Sequence, residues 1–171
     1  MNEKLRKTVI SAVFAALICA VTMLIQIPTL TKGYVNLGDG IVLIAGWVCG
    51  AKWGAAAAGI GSALADIFSG YYIYAPGTFA IKALMAVVAA AVSYAFTHRE
   101  FTGHIISAVS AELVMAFGYF LYEWLFITGT FETAIVGLPE NLVQAAFGTI
   151  SSVAIMTALE RTKAVGHLRF K

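Results

Sequence analysis

The feature that most constrains this chain is a series of apolar runs, too long and too closely spaced for a fold surrounded by water. A membrane-spanning helix needs about 20 mostly apolar residues. Six stretches answer to that need, roughly 8–27, 35–50, 53–69, 78–96, 105–127 and 139–159. The second is the shortest and starts near Asp39. Only 12% of the residues are charged, against about 25% in an average soluble domain. So few charges cannot clothe a water-exposed surface, and the bulk of the chain must sit in lipid. The connections, 28–34, 51–52, 70–77, 97–104 and 128–138, leave no room for a hydrophilic insertion. The expectation is one all-α membrane domain over 1–171 with six transmembrane helices. The basic start, "MNEKLRKTVISAVF", precedes an apolar run as in a signal peptide. No small-residue cleavage site followed by a soluble domain is evident, so it reads as a retained first helix.

Positive charge orients the spans, because Lys and Arg collect in cytoplasmic loops. With a cytoplasmic N-terminus and six crossings, Lys4, Arg6, Lys7, Lys52, Arg99, Arg161, Lys163, Arg169 and Lys171 all fall inside, nine of the eleven basic residues. A re-entrant second segment would put Arg99 and the basic C-terminus on opposite sides. Both termini are therefore expected in the cytoplasm.

That topology assigns a depth to each polar residue. Asp39 opens the second segment from outside, and Asp66 lies near the outer end of the third. Lys82 lies about one turn into the fourth, and Glu123 about one turn from the outer end of the fifth. Glu140, Asn141 and Gln144 open the sixth, again from the outside, behind Pro139, a normal residue at a helix start. Glu112 alone falls in the inner half. Charges in hydrocarbon are costly and mark a shared polar interior, so Asp66 and Lys82 are expected to face one cavity open to the outside. The plainer alternative is that they pair and lock two helices.

Tyr34, Tyr71, Tyr72, Tyr74, Tyr119 and Tyr122 all fall on the outer side, and Tyr94 alone lies inward. An aromatic belt would populate both faces; a flat heteroaromatic solute would use tyrosines at one. Tyr119 and Glu123 share a helix face, as do Asn141 and Gln144, whose amides offer donors and acceptors together. Ala12, Ala16 and Ala20 form a smooth stripe on the first helix, and Ala57, Gly61 and Ala65 form another on the third. Such stripes let helix backbones approach closely.

Several chemistries are disfavoured. There is no G-x-x-x-x-G-K-[ST] for nucleotide. Ser62 in "GIGS" has no histidine within reach, since His98 and His104 flank a cytoplasmic loop and His167 lies in the tail. Cys19 and Cys49 sit in apolar runs and imply neither a disulfide nor a metal site. No cofactor and no nucleic-acid partner is expected. A membrane enzyme using Asp66 and Glu123, or a purely structural membrane protein, are the alternatives to solute capture.

"GYVNLGD" (33–39), "GSALADIFSGYYIYAPGTFAIKALM" (61–85) and the Ala12/Ala16/Ala20 stripe resemble the S components of energy-coupling factor (ECF) transporters, most closely the riboflavin-type branch. The resemblance implies a six-helix vitamin-capture subunit of a prokaryotic cell membrane. It would be non-catalytic and would work with a transmembrane T component and two cytoplasmic ATPase subunits. It implies a site near the outer face, covered by the loops at 28–34, 70–77 and 128–138, and a partner interface on Ala12, Ala16 and Ala20. The candidate substrate-binding residues are Asn36, Asp39, Asp66, Tyr74, Lys82, Tyr119, Glu123, Trp124, Asn141 and Gln144. This mixed set favours a pyridoxine-type or hydroxymethylpyrimidine ligand first and riboflavin second.

Overall fold

In a computed structural model, which describes residues 2–96, 100–162, 165–166 and 168–170, the chain forms five long helices and one short hairpin. The expectations placed on Arg99, Lys163, Lys171, His98 and His167 lie outside the described residues.

Helix α1 (Glu3–Leu24) starts behind Asn2, whose side chain accepts the Lys4 amide at 3.1 Å. Its 22 residues rise about 33 Å, enough to cross the hydrocarbon core. It leaves Leu5, Val9, Val13 and Leu24 exposed, as lipid permits and water would penalise. Strands β1 (Gln26–Pro28) and β2 (Tyr34–Asn36) pair antiparallel, with Ile27 opposite Val35. The first residues expected in the second span are therefore strand, and helix begins only at Asp39.

Helix α2 (Asp39–Phe68) is interrupted at Gly50, with φ 72° and ψ 177°, a backbone state that only glycine adopts readily. The chain doubles back there. A Cβ on Gly54 would lie 2.8 Å from the Ala45 carbonyl and 2.9 Å from Gly46 Cα. The two arms, 39–49 and 51–68, correspond to the second and third apolar runs. The first arm is only about 16 Å long, so Asp39 lies deep in the bundle rather than at its rim.

Helix α3 (Ala75–Ala95) carries Pro76 in its first turn. Helix α4 (Glu100–Tyr122) runs on into a π-helical segment, Glu123–Thr128. Helix α5 (Phe131–Arg161) contains Pro139 in its interior. Pro139 thus does not open the last helix, and most of the expected loop at 128–138 is helical. Membrane helices tolerate such prolines.

The buried centre is filled by Ile18, Val42, Leu43, Met85, Met115 and Met156. Ala57 and Ala65 are buried at 2% and 0% exposure, and Gly61 has no room for a Cβ beside the Ala15 backbone. This stripe is where α1 and α2 pack. Ala12, Ala16 and Ala20 remain exposed on α1.

At one end of the bundle Arg169 bonds Glu160 at 2.5 Å and Glu100 at 3.3 Å, and the Phe170 amide reaches the Val48 carbonyl at 2.9 Å. Lys7 lies over the Phe170 ring. Both chain ends therefore meet the Gly50 turn. His104 lies inside α4, not in a loop; it is buried, with its ring 4.4 Å from that of Trp47. The hairpin and the 70–74 turn occupy the other end.

Candidate solute-binding cleft

The hairpin brings its threonines down onto the helix ends. Thr31 Oγ1 donates to Glu123 Oε1 at 2.9 Å, and Tyr74 Oη donates to the Thr31 carbonyl at 2.7 Å. Tyr34, on β2, donates to Asp66 Oδ1 at 2.5 Å and packs its ring 4.6 Å from that of Tyr71. Burial, and then the adjacent Asp66 carboxylate, push the Tyr34 phenol well above its ordinary pKa. These contacts fold the hairpin tightly over a cleft whose free interior is about 20 Å³, room for little more than a water molecule.

Seven of the ten candidate residues line this cleft: Asn36, Asp66, Tyr74, Lys82, Tyr119, Glu123 and Asn141. Glu123 is presented by the π-helical turn, a local widening that recurs at functional sites. Gly137 supplies the opposite wall because nothing larger fits. Its Cβ would stand 2.8 Å from Glu123 Oε2 and 2.9 Å from Thr31 Cγ2.

Asp39 and Gln144 lie beneath the cleft instead. Lys82 pairs with Asp39, not with Asp66, and its ammonium also sits 5.2 Å over the Tyr119 ring. Gln144 donates to Asp39 Oδ2 at 2.6 Å and accepts the Asn36 amide at 2.8 Å. This layer ties α2, α3 and α5 to the hairpin and forms the floor. Glu112 lies next to it. Glu112 is 1% exposed, neither of its oxygens is hydrogen-bonded among the described residues, and Gly148 is kept small by its carboxyl group and by Asp39. The polar groups therefore extend deeper than the outer half. Trp124 turns away from the cleft and packs on Phe120 and Phe131.

Sequence reasoning assigned no binding role to Thr22, Thr29, Thr31, Ser62 and Thr78, all of which line the cleft. Hydroxyls are unremarkable in an apolar chain, and only the hairpin's fold-back reveals them. Two larger grooves, one between α1 and α2 and one along α4 and α5, have walls that are almost wholly apolar.

Two orphan oxygens give the cleft its chemistry. Asp66 Oδ2 and Glu123 Oε2 are buried without a hydrogen-bond partner among the described residues, as is Ser62 Oγ. Buried polar atoms are satisfied in more than nine cases in ten, and three of the exceptions among the described residues gather in this one cleft.

Membrane-length helices packed around a polar cleft define a multi-pass membrane protein. The chain belongs to the family of ECF-type riboflavin transporter S components, which it matches over residues 2–161. Its fold is similar to that of the solved S component of a bacterial ECF transporter, with a TM-score of 0.72 over 94% of this chain and 98% of that one, at 17% identity. It is also similar to a Pyrococcus woesei protein described as an uncharacterized protein in the gap 3′ region, with 32% identity over 131 residues, 75% of this chain and 84% of the relative.

Proposed function

We propose that the protein is the substrate-capture subunit of an ECF transporter, taking up a vitamin or vitamin precursor through a cleft that opens to the cell exterior. The observation that carries this reading is the pair of unpartnered carboxylate oxygens, on Asp66 and Glu123, inside a covered cleft. A protein that only needed to hold its helices together would gain nothing by burying them unpaired. The charge distribution supports the orientation. Lys7, Lys52 and Arg169 gather at the end of the bundle opposite the hairpin, which suits six crossings with both termini in the cytoplasm and the cleft outside.

A single-ring ligand of the pyridoxine or hydroxymethylpyrimidine type is preferred on the cleft's mixture of acceptors and amides. Riboflavin is the second reading, favoured by the family that the sequence matches. Transport itself would need a T component and two ATPase subunits, with Ala12, Ala16 and Ala20 forming the face of α1 that docks on the former. The deciding experiment is to purify the protein from cells and identify co-purifying small molecules by absorbance and mass spectrometry. A stoichiometric vitamin-like compound, lost in Glu123→Gln, is the expected result. Turnover of a substrate by the purified chain would point to an enzyme instead.

A further inference from the structure

Among the described buried residues there are four carboxylates, Asp39, Asp66, Glu112 and Glu123, and one lysine, Lys82. Lys82 is already committed to Asp39 at the floor. Asp66 and Glu123 are buried at 2% and 4% exposure; Lys82 acts on Asp66 across the cleft but is bonded to Asp39, so three of the four carboxylates have no ion-pair partner among the described residues. Each is half satisfied, by Tyr34 on one side and by Thr31 on the other, so that one oxygen is fixed in place and the second is free. Thr78, which accepts the Tyr119 hydroxyl at 3.0 Å, stands beside Asp66 without closing a bond of ordinary geometry to the free oxygen. Glu140 adds a further carboxylate near Glu123. Such a site repels anions, and a neutral donor can bond its oxygens without offsetting their charge. Its missing partner is positive charge with N–H donors.

Resting on the capture reading above, we infer that the solute is an organic cation: a single-ring base with at least two donor groups, one received by Asp66 and the other by Glu123. Tyr74 adds an aromatic ring to the lining, which a cation also favours, while the Tyr119 ring already carries Lys82. A metal ion is not the occupant this chemistry describes, since no group of three His, Cys, Asp or Glu side chains converges among the described residues.

The test uses the purified full chain in detergent and matched compounds that differ in one substituent. Pyridoxamine carries an aminomethyl cation, pyridoxine a hydroxymethyl group, and pyridoxic acid a carboxylate. An amino-substituted hydroxymethylpyrimidine and its oxo analogue form a second pair, and riboflavin is the neutral three-ring control. Calorimetric titration should rank the amine-bearing member first in at least one set, by about tenfold or more over its neutral partner, and should show no binding of pyridoxic acid. Asp66→Asn and Glu123→Gln should each flatten that preference, while the empty double variant unfolds at a higher temperature because two uncompensated charges are gone. The inference is overturned if pyridoxic acid, the oxo pyrimidine or riboflavin binds best, or if the variants leave the ranking intact. The capture reading survives those outcomes. Silence across the whole panel, riboflavin included, overturns both.

Discussion

Lys82 on α3 and Asp39 at the start of α2 form an ion pair in which neither side chain is more than 2% exposed. The second Asp39 oxygen is held by Gln144 from α5. Three helices are therefore pinned at one depth by this pair and its amide partner. Burying such a pair gains little over an apolar packing, but removing one partner leaves a bare charge. Lys82→Met is expected to destabilise the protein by about 3–5 kcal/mol, and Lys82→Met with Asp39→Asn to recover most of that loss. Thermal unfolding of the two variants in detergent checks this. Equal losses in the single and double variants would show that the pair does not bear the load.

Gly137 faces the Glu123 carboxylate across a gap too small for a methyl group. Gly137→Ala should improve the α5 backbone by up to about 1 kcal/mol while pushing into the cleft. The expected outcome is a nearly unchanged unfolding temperature and a loss of solute affinity of about tenfold or more. Unchanged affinity would place the ligand away from this wall.

The membrane helices were legible because hydropathy acts over long windows and tolerates local error. The break between 35–50 and 53–69 was readable for the same reason, since Gly50, Ala51 and Lys52 interrupt two apolar runs. Helix starts were not. Pro139 has the look of an N-terminal residue, yet α5 begins at Phe131 because the preceding turn is apolar enough to continue the helix. Residues 34–36 look like the start of a span and instead pair with 26–28. In the site, Asp66 and Glu123 stood out as charges in apolar surroundings. Which carboxylate meets Lys82 depends on the mutual register of α2 and α3, and no local pattern encodes that. Lys82 lies 43 residues from Asp39 and selects it over the nearer Asp66.

Gly50 bends α2 back on itself with a positive φ, and a Cβ there would meet no atom within 4 Å. The cost of substitution is therefore conformational and not steric. Gly50→Ala should destabilise by about 1–3 kcal/mol. Hydrogen exchange of residues 46–54 should rise with it. An Ala variant as stable as the parent would mean that the turn relaxes freely.

Tyr34 carries its proton to higher pH in the folded protein than in the unfolded chain, because it is buried and bonded to Asp66. Below the ordinary tyrosine value of about 10 both states are protonated, and Tyr34 adds no pH dependence. Above it, only the unfolded state ionises freely, so stability falls as pH rises further. The parent should lose stability relative to Tyr34→Phe above about pH 10, and tyrosinate absorbance should show this phenol titrating only on unfolding. Parallel pH curves for the two proteins would contradict the Tyr34–Asp66 bond.

Ala12, Ala16 and Ala20 face outward from α1 over a groove whose far side is formed by Ala56, Ile60 and Leu64. A large side chain placed there leaves the cleft untouched, since α1 contributes only Thr22 to its lining. It would, however, fill the surface on which another membrane helix could seat closely. Ala16→Trp is expected to bind solute with the parent's affinity and to unfold at a similar temperature. Uptake in vesicles containing the T component and the ATPase subunits should fall to background. Retained uptake would remove this stripe from the docking surface, and lost affinity would show that the α1 face supports the cleft instead.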